Sequence, residues 1–161
     1  MSAYPILIVP PEQEIVTTRI INAPRPLVYK AWTDPNHLKN WWGPHGFTNT
    51  FNTFDFRVGG AWDFIMHGPE KGNYPNHCTF RIIREPELLV WDRQSKPHFE
   101  VEVRFEVISP NQTKVTFKQK FATVEECEKI RKYTVGKNDE NLDRLEVELD
   151  NMKQYHHAQT R

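Results

Sequence analysis

Histidine is the side chain whose unperturbed titration falls near neutrality, and His67 and His77 flank a glycine- and proline-rich stretch at residues 68–75. Held against a substrate, either could move a proton as a general acid or base. His77 is the better placed of the two, although the sequence leaves open which face of its strand it occupies. Other catalytic arrangements are missing: no Ser, His and Asp in a known order, no G-x-S-x-G elbow, no carboxylates paired at an apolar site and no glycine loop that would cradle phosphate. Cys78 and Cys127 lie far apart and outside any CxxC or Cys/His cluster, which predicts reduced, partly buried thiols and neither a disulfide nor a zinc framework. His156 and His157 adjoin in a polar tail, where solvated side chains are the ordinary reading over metal binding. No metal and no cofactor are expected.

The chemistry that the residue types favour is apolar recognition. Five Trp and ten Phe stand in a chain only 38% hydrophobic, so large flat side chains must be concentrated where they can be buried. Phe54, Phe56, Trp62, Phe64, Phe80, Phe105 and Phe117 fall at inward positions of strand-like segments, with Met66 and Trp91 in the same segments. Taken singly, each reads as core; as a group on a strongly curved sheet they leave space that one helix would not fill, and such space binds small molecules. Gln119 interrupts the apolar row of the last strand, either as a polar anchor for a ligand or as a core amide bonded to a neighbour. Trp41 and Trp42 end a short helix just before Gly43-Pro44-His45-Gly46-Phe47. An indole there, with Phe47 beside it, either covers the mouth of a cavity or staples helix to sheet.

These residues must be positioned by an antiparallel sheet and a long helix. Residues 1–13, with Pro5, Pro10 and Pro11, read as an extended arm. Residues 14–22 read as a first strand of undecided inward face. Asn22 is the expected cap of a helix with Pro24 in its first turn and Leu27, Val28, Ala31 and Trp32 along one side. A second helix follows, capped by Asp34 with Pro35 at its first position and stopped by Gly43. From Thr48 the period becomes two. A bulged three-residue turn at Gly59-Gly60 would pair Val58 with Trp62 and set Arg57 opposite Asp63. Further strands are expected at 76–84 and 88–92. The clearest alternation runs from Phe99 through Val101, Val103, Phe105 and Val107 toward the core, with Glu100, Glu102, Arg104 and Glu106 toward water. Val115, Phe117, Gln119 and Phe121 continue the inward row. Thr123 and Glu126 form a capping box for a helix that Gly136 interrupts, and Asp139 can restart it. Leu142, Leu145, Leu149 and Met152 then make an apolar stripe that needs a sheet to cover, so Leu142 and Leu145 are expected at the cavity as well.

Asn22-Ala23-Pro24, Ala31-Trp32-Thr33-Asp34-Pro35, Trp41-Trp42-Gly43-Pro44 with Gly46-Phe47, Asp55-x-Arg57-Val58-Gly59-Gly60-Ala61-Trp62 and Leu142-Asp143-Arg144-Leu145 occur in this order over about residues 14–150. In them the chain resembles the homologues of the heat-shock-protein-90 ATPase activator, within the START-like, or SRPBCC, superfamily of helix-grip folds related to the birch-pollen allergen. The resemblance implies an α+β fold: a curved antiparallel sheet of six or seven strands wrapped around a long C-terminal helix, with two short helices after the first strand. It also implies a cavity between sheet and helix. Members include lipid carriers, aromatase/cyclases and co-chaperone domains, so fold alone does not fix function. Where many relatives carry Gly-Trp before the last Leu-x-x-Leu, this chain has Glu140-Asn141, and Ile82 stands where many have an acidic residue.

At 161 residues, with 21 acidic and 21 basic side chains, the chain is the size of one domain and lacks the field that would draw it to nucleic acid or an anionic bilayer. One START-like domain over 14–155 and a polar tail over 156–161 are expected. No run spans a bilayer and no signal-peptide pattern opens the chain, so a cytoplasmic home is expected. The leading expectation is a binding protein for a hydrophobic small molecule, lipid-like or aromatic and polyketide-like. The alternatives are an interaction module with a chaperone as partner, as the family name suggests, and a cyclase- or hydrolase-type enzyme using the same cavity.

Overall fold

The structure, a computed structural model, describes residues 6–159, with side chains through Gln154. The side chains of His156 and His157, residues 1–5 of the arm and residues 160–161 lie outside the described residues. Strand β1 (Glu14–Ile21) is followed by helices α1 (Arg25–Thr33) and α2 (Pro35–Trp41). Six more strands follow: β2 (Thr48–Phe54), β3 (Ala61–His67), β4 (Asn73–Arg84), β5 (Leu88–Arg93), β6 (Phe99–Ser109) and β7 (Gln112–Lys120). Helices α3 (Val124–Thr134) and α4 (Lys137–Gln159) complete the chain. The seven strands form one antiparallel sheet in the order β1-β7-β6-β5-β4-β3-β2. The two short helices thus carry the chain from one edge of the sheet to the other, and a meander brings it back beside β1. Register shifts near Phe51, Phe80 and Val107 bend the sheet, as bulges do. The architecture is the α+β helix grip that the resemblance implies.

The apolar stripe of α4 closes the concave face. Leu142, Leu145, Leu149 and Met152 are buried in one cluster with Trp32, Trp41, Trp62, Trp91, Phe105 and Phe117. On β1 the inward residues are Ile15 and Ile21, while Val16 and Ile20 face outward and are half exposed. Asp34 caps α2 as expected, its side chain accepting from Asn36 N. Thr123 likewise accepts from Glu126 N at the start of α3. Asn22 does not cap α1; Pro24 occupies that position, and Asn22 Oδ1 instead accepts from Gln112 Nε2 at 3.1 Å.

The turn between β2 and β3 is longer than the sequence suggests. Phe54, and not Val58, pairs with Trp62, and Asp55 N donates to the Ala61 carbonyl at 2.8 Å. Residues 55–60 then close as a loop fastened to β4, with Gly59 N donating to Phe80 O and Phe80 N to Gly60 O. A Cβ on Gly60 would lie 2.0 Å from the Asp55 carbonyl oxygen, so close backbone approach selects glycine there. Val58 is consequently exposed, and Arg57 bonds Asp55 rather than Asp63, which pairs with Thr53.

The convex face also differs from expectation. Glu100 and Glu102, expected in water, are buried beside Lys120, whose ammonium meets both carboxylates. The arm covers them: Leu7 N donates to Glu100 and Lys120 Nζ donates to Leu7 O. Ile6 packs on Ile82, Leu88 and Val90, a cluster on the face opposite to Leu89 and Trp91 by strand alternation. Burial pushes the Glu100 carboxyl above its ordinary value. Burial acts the same way on Glu102, but the bonds from Lys120 and Arg104 outweigh it and hold that carboxyl low. Val107, expected inward, is exposed near the end of β6. Pro11–Gln13 of the arm forms a short 3-10 turn, and α4 continues through the expected tail to Gln159.

Arg144 of α4 ties the grip together. Its Nη1 donates to the carbonyls of Trp42, Gly43 and Pro44 at 3.1, 2.9 and 3.0 Å. Its Nη2 donates to those of Asn40 and Phe47 at 3.0 and 2.9 Å.

Leu145→Asp is expected to abolish or nearly abolish folding, because an unpaired charge within the stripe costs several kcal/mol, roughly. An unchanged Tm would show that α4 does not hold the sheet through this residue. Arg144→Met is expected to lower stability by about 2–3 kcal/mol, since bonds from a charged donor are lost and several carbonyls are left without one. Denaturant melts would show this as a lower midpoint at unchanged slope, and a midpoint within error of the parent would refute it.

Candidate functional site

Between the concave face and the start of α4 lies a cavity of about 460 Å³. The loop after α2 supplies Trp42, Gly43, Pro44 and Phe47 to its wall. The sheet supplies Met66, Tyr74, Asn76, Arg93, Phe99, Phe117 and Gln119. Ile130, Tyr133 and Thr134 come from α3, and Lys137, Asn138 and Asn141 from α4. The loop is shaped by Gly43, whose φ of +100° lies in the left-handed region, and whose Cβ would stand 2.8 Å from Met66 Cε.

The wall is apolar with a few fixed polar groups. Asn138 Nδ2 donates to Gln119 Oε1 at 2.9 Å, and Gly43 N donates to Asn141 Oδ1 at 3.0 Å. Arg93 donates through Nε to Asn76 Oδ1 at 2.8 Å, and through Nη1 to the carbonyls of Ser95 and Pro97 at 2.9 and 2.7 Å. Its guanidinium carbon also stands 5.5 Å from the centre of the Phe99 ring. Burial lowers the Arg93 pKa, but a guanidinium titrates so high that it stays charged. Burial pushes the neighbouring Cys78 thiol up to about 12, which leaves it protonated and unreactive at neutral pH. Cys78 and Cys127 are both buried and unpaired.

The structure divides the residues singled out in the sequence. Trp42, Phe47, Met66, Phe117 and Gln119 line the cavity. Trp62, Phe64, Phe80, Trp91, Phe105, Leu142 and Leu145 are buried in the cluster behind it. Trp41 is fully buried, its Nε1 donating to Ala31 O at 3.0 Å. Phe54 and Phe56 stack on each other and meet Phe80 edge-on, farther along the sheet. His77 lies elsewhere: its partner in β3 is Asp63, between the inward Trp62 and Phe64, so it stands on the convex face and its Nδ1 meets the Asp63 carboxylate. His67, also convex, bonds Thr50 and Asn73. Neither histidine reaches the cavity.

Arg93, Asn76 and Asn141 were not anticipated, and neither was the contribution of α3. Arg93 was legible, since the period of two through Leu89 and Trp91 places it on the inward face. Among the described residues no group of three or more His, Cys, Asp and Glu side chains could hold a metal ion. A second cleft, of about 640 Å³, is lined by Asn22, Pro24, Leu27, Lys30, Asn111 and Lys153, from the start of α1, the β6–β7 turn and α4. None of the candidate binding residues singled out in the sequence lines it.

Solved structures share this architecture. A protein from Nitrosomonas europaea superposes with a TM-score of 0.84 at 22% identity, over 91% of this chain and 100% of its own. One from Arthrobacter aurescens gives 0.80 at 23% identity over 87% of each chain. A protein from Aeromonas hydrophila described as AHSA1-like gives 0.69 at 21% identity, over 83% of this chain and 92% of its own. At these identities the likeness is one of fold. No curated protein matches the sequence. The family profile for "Activator of Hsp90 ATPase homolog 1-like protein" matches residues 22–150, from the approach to α1 through strands β2 to β7 and along α4 past Leu149, and the chain belongs to that family.

Proposed function

We propose that the chain binds a hydrophobic small molecule, lipid-like or aromatic, in the cavity between sheet, α3 and α4. The observation that carries this reading is the cavity itself. Its volume of about 460 Å³ suits a small ligand, and Trp42, Phe47, Met66, Phe99 and Phe117 give it a broad apolar surface beside the amides of Asn76, Gln119, Asn138 and Asn141. The described lining has neither a histidine nor a carboxylate, and its titratable groups apart from Arg93 are Lys137, Tyr74 and Tyr133. A second reading, an interaction module acting on a chaperone ATPase, follows from the family's description. Tyr74, Tyr133 and Val135, large and exposed near the cavity, are the surface it would use.

A neutral apolar dye is expected to bind at one saturable site and quench tryptophan emission. Trp42 lines the cavity, and its ring centre lies 5.6 to 5.8 Å from those of Trp32, Trp41, Trp62 and Trp91, so excitation of any of them is within reach of the site. Absence of saturable binding to folded protein would count against the cavity as a binding site.

Gln119→Leu separates anchor from core. The amide that it strands, Asn138, is itself partly exposed, so stability should fall by no more than about 1 kcal/mol. Affinity for a ligand with a polar head should fall by about 0.5–1.5 kcal/mol, the worth of one hydrogen bond. A large drop in Tm with unchanged affinity would make Gln119 a structural amide only.

A further inference from the structure

We infer that the ligand of this cavity is an amphiphilic carboxylic acid, its apolar body against Trp42, Met66 and Phe117 and its carboxylate on Arg93. The inference rests on the reading of the cavity as a binding site and adds the charge and polarity of the occupant.

Of the two arginines whose charge burial disfavours, Arg144 engages both of its Nη groups with backbone carbonyls, whereas Arg93 engages only Nη1. Arg19, Arg81 and Arg104 each meet a carboxylate, and Lys120 meets two. Arg93 meets none among the described residues, although burial disfavours its charge enough to lower its pKa. A cation held out of water without a counterion is costly, and a ligand anion removes that cost. Three hydrogen bonds through Nε and Nη1, with the Phe99 ring beneath, fix the guanidinium before any ligand arrives. Nη2 makes no hydrogen bond to a described residue, which leaves two N–H groups for an acceptor.

The surrounding charge points the same way. No Asp or Glu lines the cavity, and its other ionised side chain is Lys137. Asn141 is oriented by the Gly43 N–H, which requires its oxygen, so its amide nitrogen is a further donor at the wall. An alcohol could take one of these bonds, but only an acid supplies charge to Arg93. A cationic amphiphile would place like charges together.

The test displaces a bound neutral dye, Nile red, from the full chain near neutral pH with matched pairs: decanoic acid against decan-1-ol, and 2-naphthoic acid against 2-naphthalenemethanol. In at least one pair the acid is expected to displace at a concentration tenfold or more below its alcohol. The pair that shows the larger effect tells an alkyl from an aromatic body. In Arg93→Gln the ratio of acid to alcohol should fall toward one. Dye binding with acid and alcohol equal in both pairs would overturn the inference while leaving the cavity reading intact. A ratio that survives in folded Arg93→Gln would overturn it too, by placing the acid elsewhere. Dye that never binds would remove the cavity reading and this inference together. Should Arg93→Gln fail to fold, the Arg93 Nε–H resonance of the unmodified protein provides the same decision. Acid and not alcohol should shift it, and a resonance that the acid leaves in place would refute the contact.

Discussion

One guanidinium reaching from α4 to five backbone carbonyls fixes the geometry on which the site depends. The segment between α2 and β2 is irregular, so its carbonyls have no ladder to satisfy them, and unpaired carbonyls beside an apolar core are costly. A planar fork of N–H groups is the side chain suited to serve several at once; an ammonium on a flexible stem is not. Because the same segment carries Trp42, Gly43, Pro44 and Phe47, Arg144 sets the cavity wall without lining the cavity. It also locks α4 to the loop across the sheet's open side. The grip is therefore held by polar contacts at the rim as well as by the leucine stripe beneath.

The space that remains follows from how the concave face is filled. Around Trp32, Trp41, Trp42, Trp62 and Trp91 the rings meet edge to face or tilted, with centres between 4.7 and 6.3 Å apart, an arrangement that packs one part of the sheet densely. Leu142, Leu145, Leu149 and Met152 cover that part. The first turns of α4 present Lys137, Asn138 and Asn141 instead, which cannot enter an apolar core without partners. The helix therefore changes character along its length, and the polar end borders the cavity.

Much of this was readable in the sequence. Alternation located the strands because one face is core, and the caps at Asp34 and Thr123 were local signals that tertiary contacts did not override. The turn at residues 55–60 departs from the bulged form that the local sequence suggests because it depends on backbone bonds between Gly59, Gly60 and Phe80 in another strand. No local pattern encodes those bonds. Alternation alone puts Glu100 and Glu102 in water, because it distinguishes two faces but not whether the polar one is covered. The arm that covers them contacts Glu100 and Lys120, about a hundred residues away along the chain. The cavity divided the aromatics in a way that periodicity could not, since Phe117 and Trp62 are equivalent by pattern yet only Phe117 reaches open space. His77 was ambiguous for the same reason, and its register against Asp63 decides its face.

Glu140-Asn141, where the resemblance leads one to expect Gly-Trp, is taken up by contacts with the loop after α2. Glu140 Oε1 accepts from His45 N at 3.1 Å and Asn141 Oδ1 from Gly43 N at 3.0 Å. Arg144, one turn farther along the same helix, donates to the carbonyls of that loop. Side chains at 140, 141 and 144 thus offer acceptors to the loop's N–H groups and donors to its C=O groups, so an irregular backbone is satisfied by one helix face. An indole at 141 would contribute bulk at a position that now borders the cavity, whereas asparagine leaves that volume open and adds a polar group to its wall. Asn141 therefore serves two ends: its oxygen secures the loop that carries Trp42, and its side chain borders the cavity that Arg93 also lines.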